Sequence, residues 1–214
     1  MLGASDGLGS VLALVSGVAA ATGSSPAVLI SGVAGVVAGA VSMAVSNYVS
    51  VRAEHDAQAS EVRLLRDAAE AIPEAKRVQL EQHYQSRGLT EAEARTVVAR
   101  AARTPQALVN LVLTEIHGVS DSAPESAVRL AWYTGAAFVA AGIIPVIPFL
   151  ILPARAAIVT AIGVAGLALF LTGIVRALLT LSPFLRSGME MFLAGLGSAA
   201  VTYLVGLALG VAVG

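Results

Sequence analysis

GLGSVLALVSGVAAATGSSPAVLISGVAGVVAGAVSMAVSNYVSV, residues 7–51, runs from Asp6 to Arg52 without one charged side chain. A helix needs about 20 apolar residues to cross the hydrocarbon core of a bilayer. These 45 residues therefore hold two crossings and a turn. The turn is Thr22-Gly23-Ser24-Ser25-Pro26, small polar residues that punctuate helices. The chain is expected to enter the membrane, turn and return before it builds any polar domain.

The composition supports a membrane protein. Of 214 residues, 57% are hydrophobic and 13% are charged, against about 25% charged in soluble domains. The charges are also segregated: residues 52–129 hold 10 of the 13 Lys and Arg and 12 of the 14 Asp and Glu. The expected organisation is an all-α, polytopic protein with a polar insertion. Residues 1–51 carry the first two spans, 52–129 a small cytoplasmic helical bundle, and 130–214 three more spans. A net charge of −1 without a basic stripe gives no reason to expect nucleic acid. With no cysteine, thiolate metal sites and disulfides are excluded, and carboxylate, imidazole, thioether and amide groups remain for metal chemistry. No positively charged n-region with a cleavage site marks a signal peptide.

The uncharged windows predict five spans, at about 4–22, 26–50, 130–152, 156–175 and 188–211. Lys and Arg near span ends set orientation. Arg52, Arg129, Arg176 and Arg186 fall on one side and Arg155 on the other. The insertion and the N-terminus are therefore expected in the cytoplasm, with the C-terminus outside. A bacterial inner membrane is the expected host.

The insertion reads as helices. The second span is expected to continue to Ala71, with Val62, Leu65 and Ala69 at helical spacing. Pro73 opens a helix closed by Gly88, and Thr90-x-x-Glu93 is a capping box opening another through Ala102. Pro105 opens a last one that ends at Gly118, with Glu115 and His117 near its close.

Several residues have the chemistry for an ion path. Asp6, at the edge of the first span, reads either as an intramembrane carboxylate marking such a path or as an interfacial N-cap. Gly32, Gly35 and Gly39 form a small-residue face for close helix packing, within one chain or across a dimer. Met43 and Asn47 are four residues apart and share a helix face with Gly39. A thioether and an amide oxygen there ligate a divalent metal or, alternatively, fill space and bond a neighbouring helix. Pro145 and Pro148 break the third span, where the helix either lines a cavity or kinks. Glu190 is expected to pair with Arg186 at i,i+4. In the insertion Glu54, His55, Asp56 and Glu61 form an acidic helix segment with Glu54 and Glu61 on one face. It is either a divalent-ion site or a solvated surface. The spacings of a zinc hydrolase, a nucleotide-binding loop or a serine hydrolase are missing, which argues against a hydrolase or a nucleotide-driven pump, and a transporter rather than an enzyme is expected.

Together these residues resemble the vacuolar iron transporter family, of which this looks like a divergent member. The similarity rests on Gly3-Ala4-Ser5-Asp6-Gly7-Leu8, on Ala38-Gly39-Ala40-Val41-Ser42-Met43-Ala44 and on Asn47-Tyr48-Val49-Ser50-Val51. It continues in Arg87-Gly88-Leu89, Ile144-Pro145-Val146-Ile147-Pro148-Phe149 and Ala199-Ala200-Val201-Thr202-Tyr203-Leu204-Val205-Gly206.

The resemblance implies a homodimer that exports Fe²⁺, and often Mn²⁺, from the cytosol in exchange for protons. The metal is cargo, and no permanently bound cofactor is expected. It places Asp6 and Met43 on the path between subunits, with Asn47 as a neutral ligand. Metal capture in the cytoplasmic domain falls to Glu54, Glu61 and Glu115. Two departures stand out. Ser46-Asn47 replaces a Gly-Glu pair, and Leu65 and Ala68, beside Arg63 and Arg66, replace a glutamate pair on the first cytoplasmic helix. These departures leave two rivals: a non-transporting scaffold of the same fold, and a transporter of another divalent cation.

Overall fold

The computed structural model describes residues 2–116, 118 and 126–213, and the described residues are helical without strands. His117 lies outside them. In chain order the helices are α1 (Leu2–Thr22), α2 (Ser25–Ala71), α3 (Pro73–Ser86), α4 (Glu91–Ala101), α5 (Pro105–Glu115), α6 (Ala127–Gly142), α7 (Pro148–Ile151), α8 (Ala154–Thr180) and α9 (Phe184–Val213). Contacts divide the chain into two compact units, Met1–Val49 with Ser126–Gly214, and Ser50–Glu125.

The first unit is built around α1. Leu8, Leu12 and Val15 recur every three or four residues, and all are buried. Packing is close because small residues meet backbone. A Cβ at Gly210 would lie 2.7 Å from the Ala21 carbonyl oxygen, and one at Gly17 would lie 3.0 Å from that of Thr202. This is the small-residue contact by which membrane helices approach without a hydrophobic drive between them. The Thr202 hydroxyl also donates to the Ala13 carbonyl at 2.7 Å, joining α9 to α1. The glycines of α2 meet side chains of the same chain: Gly32 faces Val146 and Val15, Gly35 faces Leu14, and Gly39 faces the Phe138 ring. At least part of that small-residue face is thus a seam within one chain.

Four described helices are long and apolar enough to cross a membrane: Gly3–Thr22, Ser25–Asp67, Ala154–Thr180 and Phe184–Val211. The expected third span, 130–152, is a broken segment in which α6 and α7 are separated by a turn over 143–147. Pro145 has no N–H to give the Ala141 carbonyl; the Ile144 amide takes that place at 3.2 Å. Further i→i−3 bonds, Val146 to Ile143 at 3.0 Å and Phe149 to Val146 at 3.1 Å, carry the chain through the bend. Pro145, Val146 and Phe149 are buried. Irregular backbone at membrane depth is tolerated when protein covers it.

The second unit has its own core of Leu80, Val98, Ala102, Leu108 and Val112. Val62 and Leu65 of α2 pack against Val109 and Leu113 of α5. Helix starts follow the sequence signals. The Thr90 hydroxyl accepts from the Glu93 amide at 3.4 Å, and the Glu93 carboxylate accepts from the Thr90 amide at 2.8 Å, which closes the capping box. Thr104 caps α5 by accepting from the Ala107 amide at 3.1 Å, one residue before Pro105.

Candidate functional site

Asp6 stands on the first turns of α1 with its side chain exposed. The neighbouring Ser10 hydroxyl is spent on the Asp6 backbone carbonyl at 2.6 Å. The carboxylate has no ion-pair or hydrogen-bond partner among the described residues. An unpartnered carboxylate at the edge of an apolar span is costly unless an ion, water or another chain meets it.

Two cavities share this carboxylate. One, of about 260 Å³, lies between α1 and α2 and is lined by Asp6, Ser10, Gly35, Gly39, Ser42 and Met43, with Phe138 of α6 closing it. The other, of about 370 Å³, holds Asp6 and Ser10 with Leu169, Met191, Gly195 and Ser198 of α8 and α9. The structure therefore brings Asp6 and Met43 into one space although 36 residues lie between them in the chain. Gly39 lets Phe138 close that space, because a Cβ there would strike the ring. A hydroxyl-rimmed pocket with one ionisable oxygen donor and one soft sulfur suits a borderline dication better than Mg²⁺.

Asn47 does not line either cavity. It lies one turn beyond Met43, about 6 Å along the helix. Its side-chain oxygen is buried without a hydrogen-bond partner among the described residues. That leaves a ligating lone pair unused. Met191 is the residue that sequence reasoning passed over. It lines the second cavity beside Asp6. No local signal joins positions 6 and 191; only the packing of α1 on α9 does.

The second unit treats its acids differently. Glu54 and Glu61 are exposed on α2. Glu115 is taken up by Arg87, whose guanidinium donates to its carboxylate at 3.1 Å. Burial raises the Tyr84 phenol above its ordinary value; the Glu115 charge adds to this and Arg87 opposes it. Among the described residues no three His, Asp or Glu side chains converge as a metal-binding group. Glu54, Glu61 and Glu115 are thus not gathered into a cluster within one chain. Leu65, at one of the two positions where the resembled family carries glutamate, is a packing residue against α5.

A model of the VIT family matches residues 1–207. The chain belongs to the VIT family. Vacuolar iron transporter 1 of Arabidopsis thaliana is 32% identical to it over 94% of this chain and 81% of its own length. The rice protein of the same name is 29% identical over 94% of this chain and 80% of its own. Vacuolar iron transporter homolog 1 of rice is 51% identical over a shorter stretch, 33% of this chain and 31% of its own. These relatives are named as transporters rather than enzymes. Family membership and the four long apolar helices make this VIT-family chain an integral membrane protein.

Proposed function

We propose that this VIT-family protein exports divalent iron, manganese or both from the cytosol in exchange for protons, as a homodimer. The observation that carries the reading is the unpartnered Asp6 carboxylate sharing a cavity with the Met43 thioether between apolar helices. An ionised Asp6 attracts a dication, and its protonation from the far side releases the cargo. Met43 biases the site toward Fe²⁺ over harder ions. The open lone pair of Asn47 offers a neutral ligand one turn further along α2.

A second copy supplies the cover that an exposed intramembrane carboxylate requires. Ile30, Val33, Val37, Val41, Val45 and Val49 leave an exposed apolar ridge along α2, on the helix that also contributes Met43 to the cavity. In this reading the unit 50–125 is cytoplasmic, which the arginines near its ends support, and the segment 127–151 is the broken member of five spans. Glu54 and Glu61 then attract cations electrostatically, and Glu115 joins them only when it gives up Arg87. A bacterial inner membrane is the proposed host.

One observation favours the scaffold reading. Leu65 packing and the Arg87–Glu115 pair show side chains committed to holding the second unit together. Reconstitution separates the two. Purified protein in liposomes should move Fe²⁺ and Mn²⁺ faster with a pH gradient than without, and Asp6→Asn should fall to the rate of empty liposomes. A folded protein that moves neither ion would leave the scaffold.

A further inference from the structure

Where α8 turns into α9, Arg176, Ser182, Pro183, Arg186, Ser187 and Glu190 enclose a polar cavity of about 350 Å³. Its charges do not cancel. Arg186 donates to Glu190 at 3.1 Å, the i,i+4 pair expected from the sequence, while the Arg176 guanidinium has no ion pair or hydrogen bond among the described residues. Two guanidiniums and one carboxylate leave a single positive charge. Ser187 is only 6% exposed, yet it lines this cavity and its hydroxyl makes no hydrogen bond among the described residues. The first turn of α9, a helix of 30 residues, forms part of the wall, and helix N-termini favour anions.

The surroundings say what kind of anion fits. The uncharged run 156–175 stops at Arg176, and another uncharged run begins after Glu190 and reaches the end of the chain. The cavity thus sits where two apolar spans reach the membrane boundary. Its fringe is apolar and uncovered: Leu179 is 72% exposed, Leu181 96% and Leu185 76%. In water this fringe is a loss; in a bilayer it sits among acyl chains while the arginines reach the phosphate level. Basic pockets between membrane helices hold anionic headgroups in this way.

We propose that this cavity binds the phosphodiester of an anionic membrane lipid carrying one net negative charge. Arg176 supplies the uncompensated charge, Arg186 bridges between phosphate and Glu190, and the Ser187 hydroxyl donates to a phosphate oxygen. The acyl chains lie over the leucine fringe. A zwitterionic lipid brings its own cation and gains less; inorganic phosphate lacks the chains.

The test is native mass spectrometry of the full chain in detergent, titrated with phosphatidylglycerol or phosphatidylcholine of equal chain length. One phosphatidylglycerol should stay bound per chain and phosphatidylcholine should not. Arg176→Gln should lower retention about fivefold, as expected for one basic side chain at a membrane surface, and Arg186→Gln should also lower it. Arg176→Lys should retain most of the binding, and Arg155→Gln, which changes the arginine at the other end of α8, all of it. A thermal midpoint raised by phosphatidylglycerol in the wild type but not in Arg176→Gln supports the same assignment. Since the Arg176 guanidinium has no partner among the described residues, its Gln variant should match the wild-type midpoint in phosphatidylcholine alone. Equal retention of both lipids, undiminished retention by Arg176→Gln, or displacement of the lipid by inorganic phosphate would each overturn it.

Discussion

The membrane-spanning unit carries one carboxylate in its first span, and the unit between residues 50 and 125 carries most of the rest. The poorer unit holds the better candidate for a metal site. Among the described residues the Asp6 carboxylate has no partner, and it shares a cavity with a thioether. In the second unit Glu91 and Glu81 share Arg95 at 2.9 and 3.7 Å, Glu115 holds Arg87, and Glu93 closes a helix cap. Acid content is therefore a poor guide to a cation site. Convergence of an acid with a second donor is the better guide, and among the described residues it occurs where acids are few.

Changes at the path should have the largest effects. Met43→Leu keeps the packing volume and removes the sulfur, so Fe²⁺ flux in liposomes should drop by about tenfold, the equivalent of 1.4 kcal/mol, and Mn²⁺ flux by less, since Mn²⁺ prefers oxygen. Equal loss of both ions would assign Met43 to packing. Asn47→Leu should reduce flux several-fold without lowering the thermal midpoint, because the buried oxygen it removes has no partner to lose. A lowered midpoint would show that the amide has a structural bond.

In the second unit the effects should fall on stability and spare flux. Thr90→Ala should cost about 1 kcal/mol of helix stability by opening the capping box, measured by circular dichroism of the full chain in detergent. The Thr90 hydroxyl and then its backbone amide hold the Glu93 carboxyl below its ordinary value. A depressed carboxyl contributes stability above the unfolded pKa and loses it as pH falls through the folded one. Protection of the α4 amides from exchange should therefore weaken in acid, and the Thr90→Ala variant, which keeps only the backbone bond, should show a smaller step. Smallest is Glu115→Gln, which loses a partly exposed ion pair worth roughly 0.5 kcal/mol. A large drop in flux from that variant would restore Glu115 as a metal ligand.

Much of this arrangement was legible in the chain. The break at 22–26 appears as Gly23 in the left-handed region between α1 and α2. Gly88, also at positive φ, closes α3, and the Thr90 and Pro105 starts fall where their chemistry puts them. The break between α6 and α7, where a third span was expected, was only half legible. Pro145 and Pro148 announce a disruption, but whether the freed carbonyls line a cavity or bond locally depends on the turn the backbone adopts. The ends of α8 and α9 extend past the uncharged windows because Arg176 and Arg186 remain helical while leaving the apolar zone. The pairing of Asp6 with Met43 was accessible only through resemblance, and its second cavity with Met191 not at all, since helix order within a bundle is not written in local periodicity.

The most direct test sets the two units against each other in one assay. Fe²⁺ flux driven by a pH gradient would be measured in liposomes for the wild type, for Asp6→Asn, and for the triple variant Glu54→Gln, Glu61→Gln and Glu115→Gln. Loss of all flux in Asp6→Asn, with most of it kept in the triple variant, is the predicted result. Flux that survives Asp6→Asn but disappears in the triple variant would contradict the account and move the essential site to the acid-rich unit.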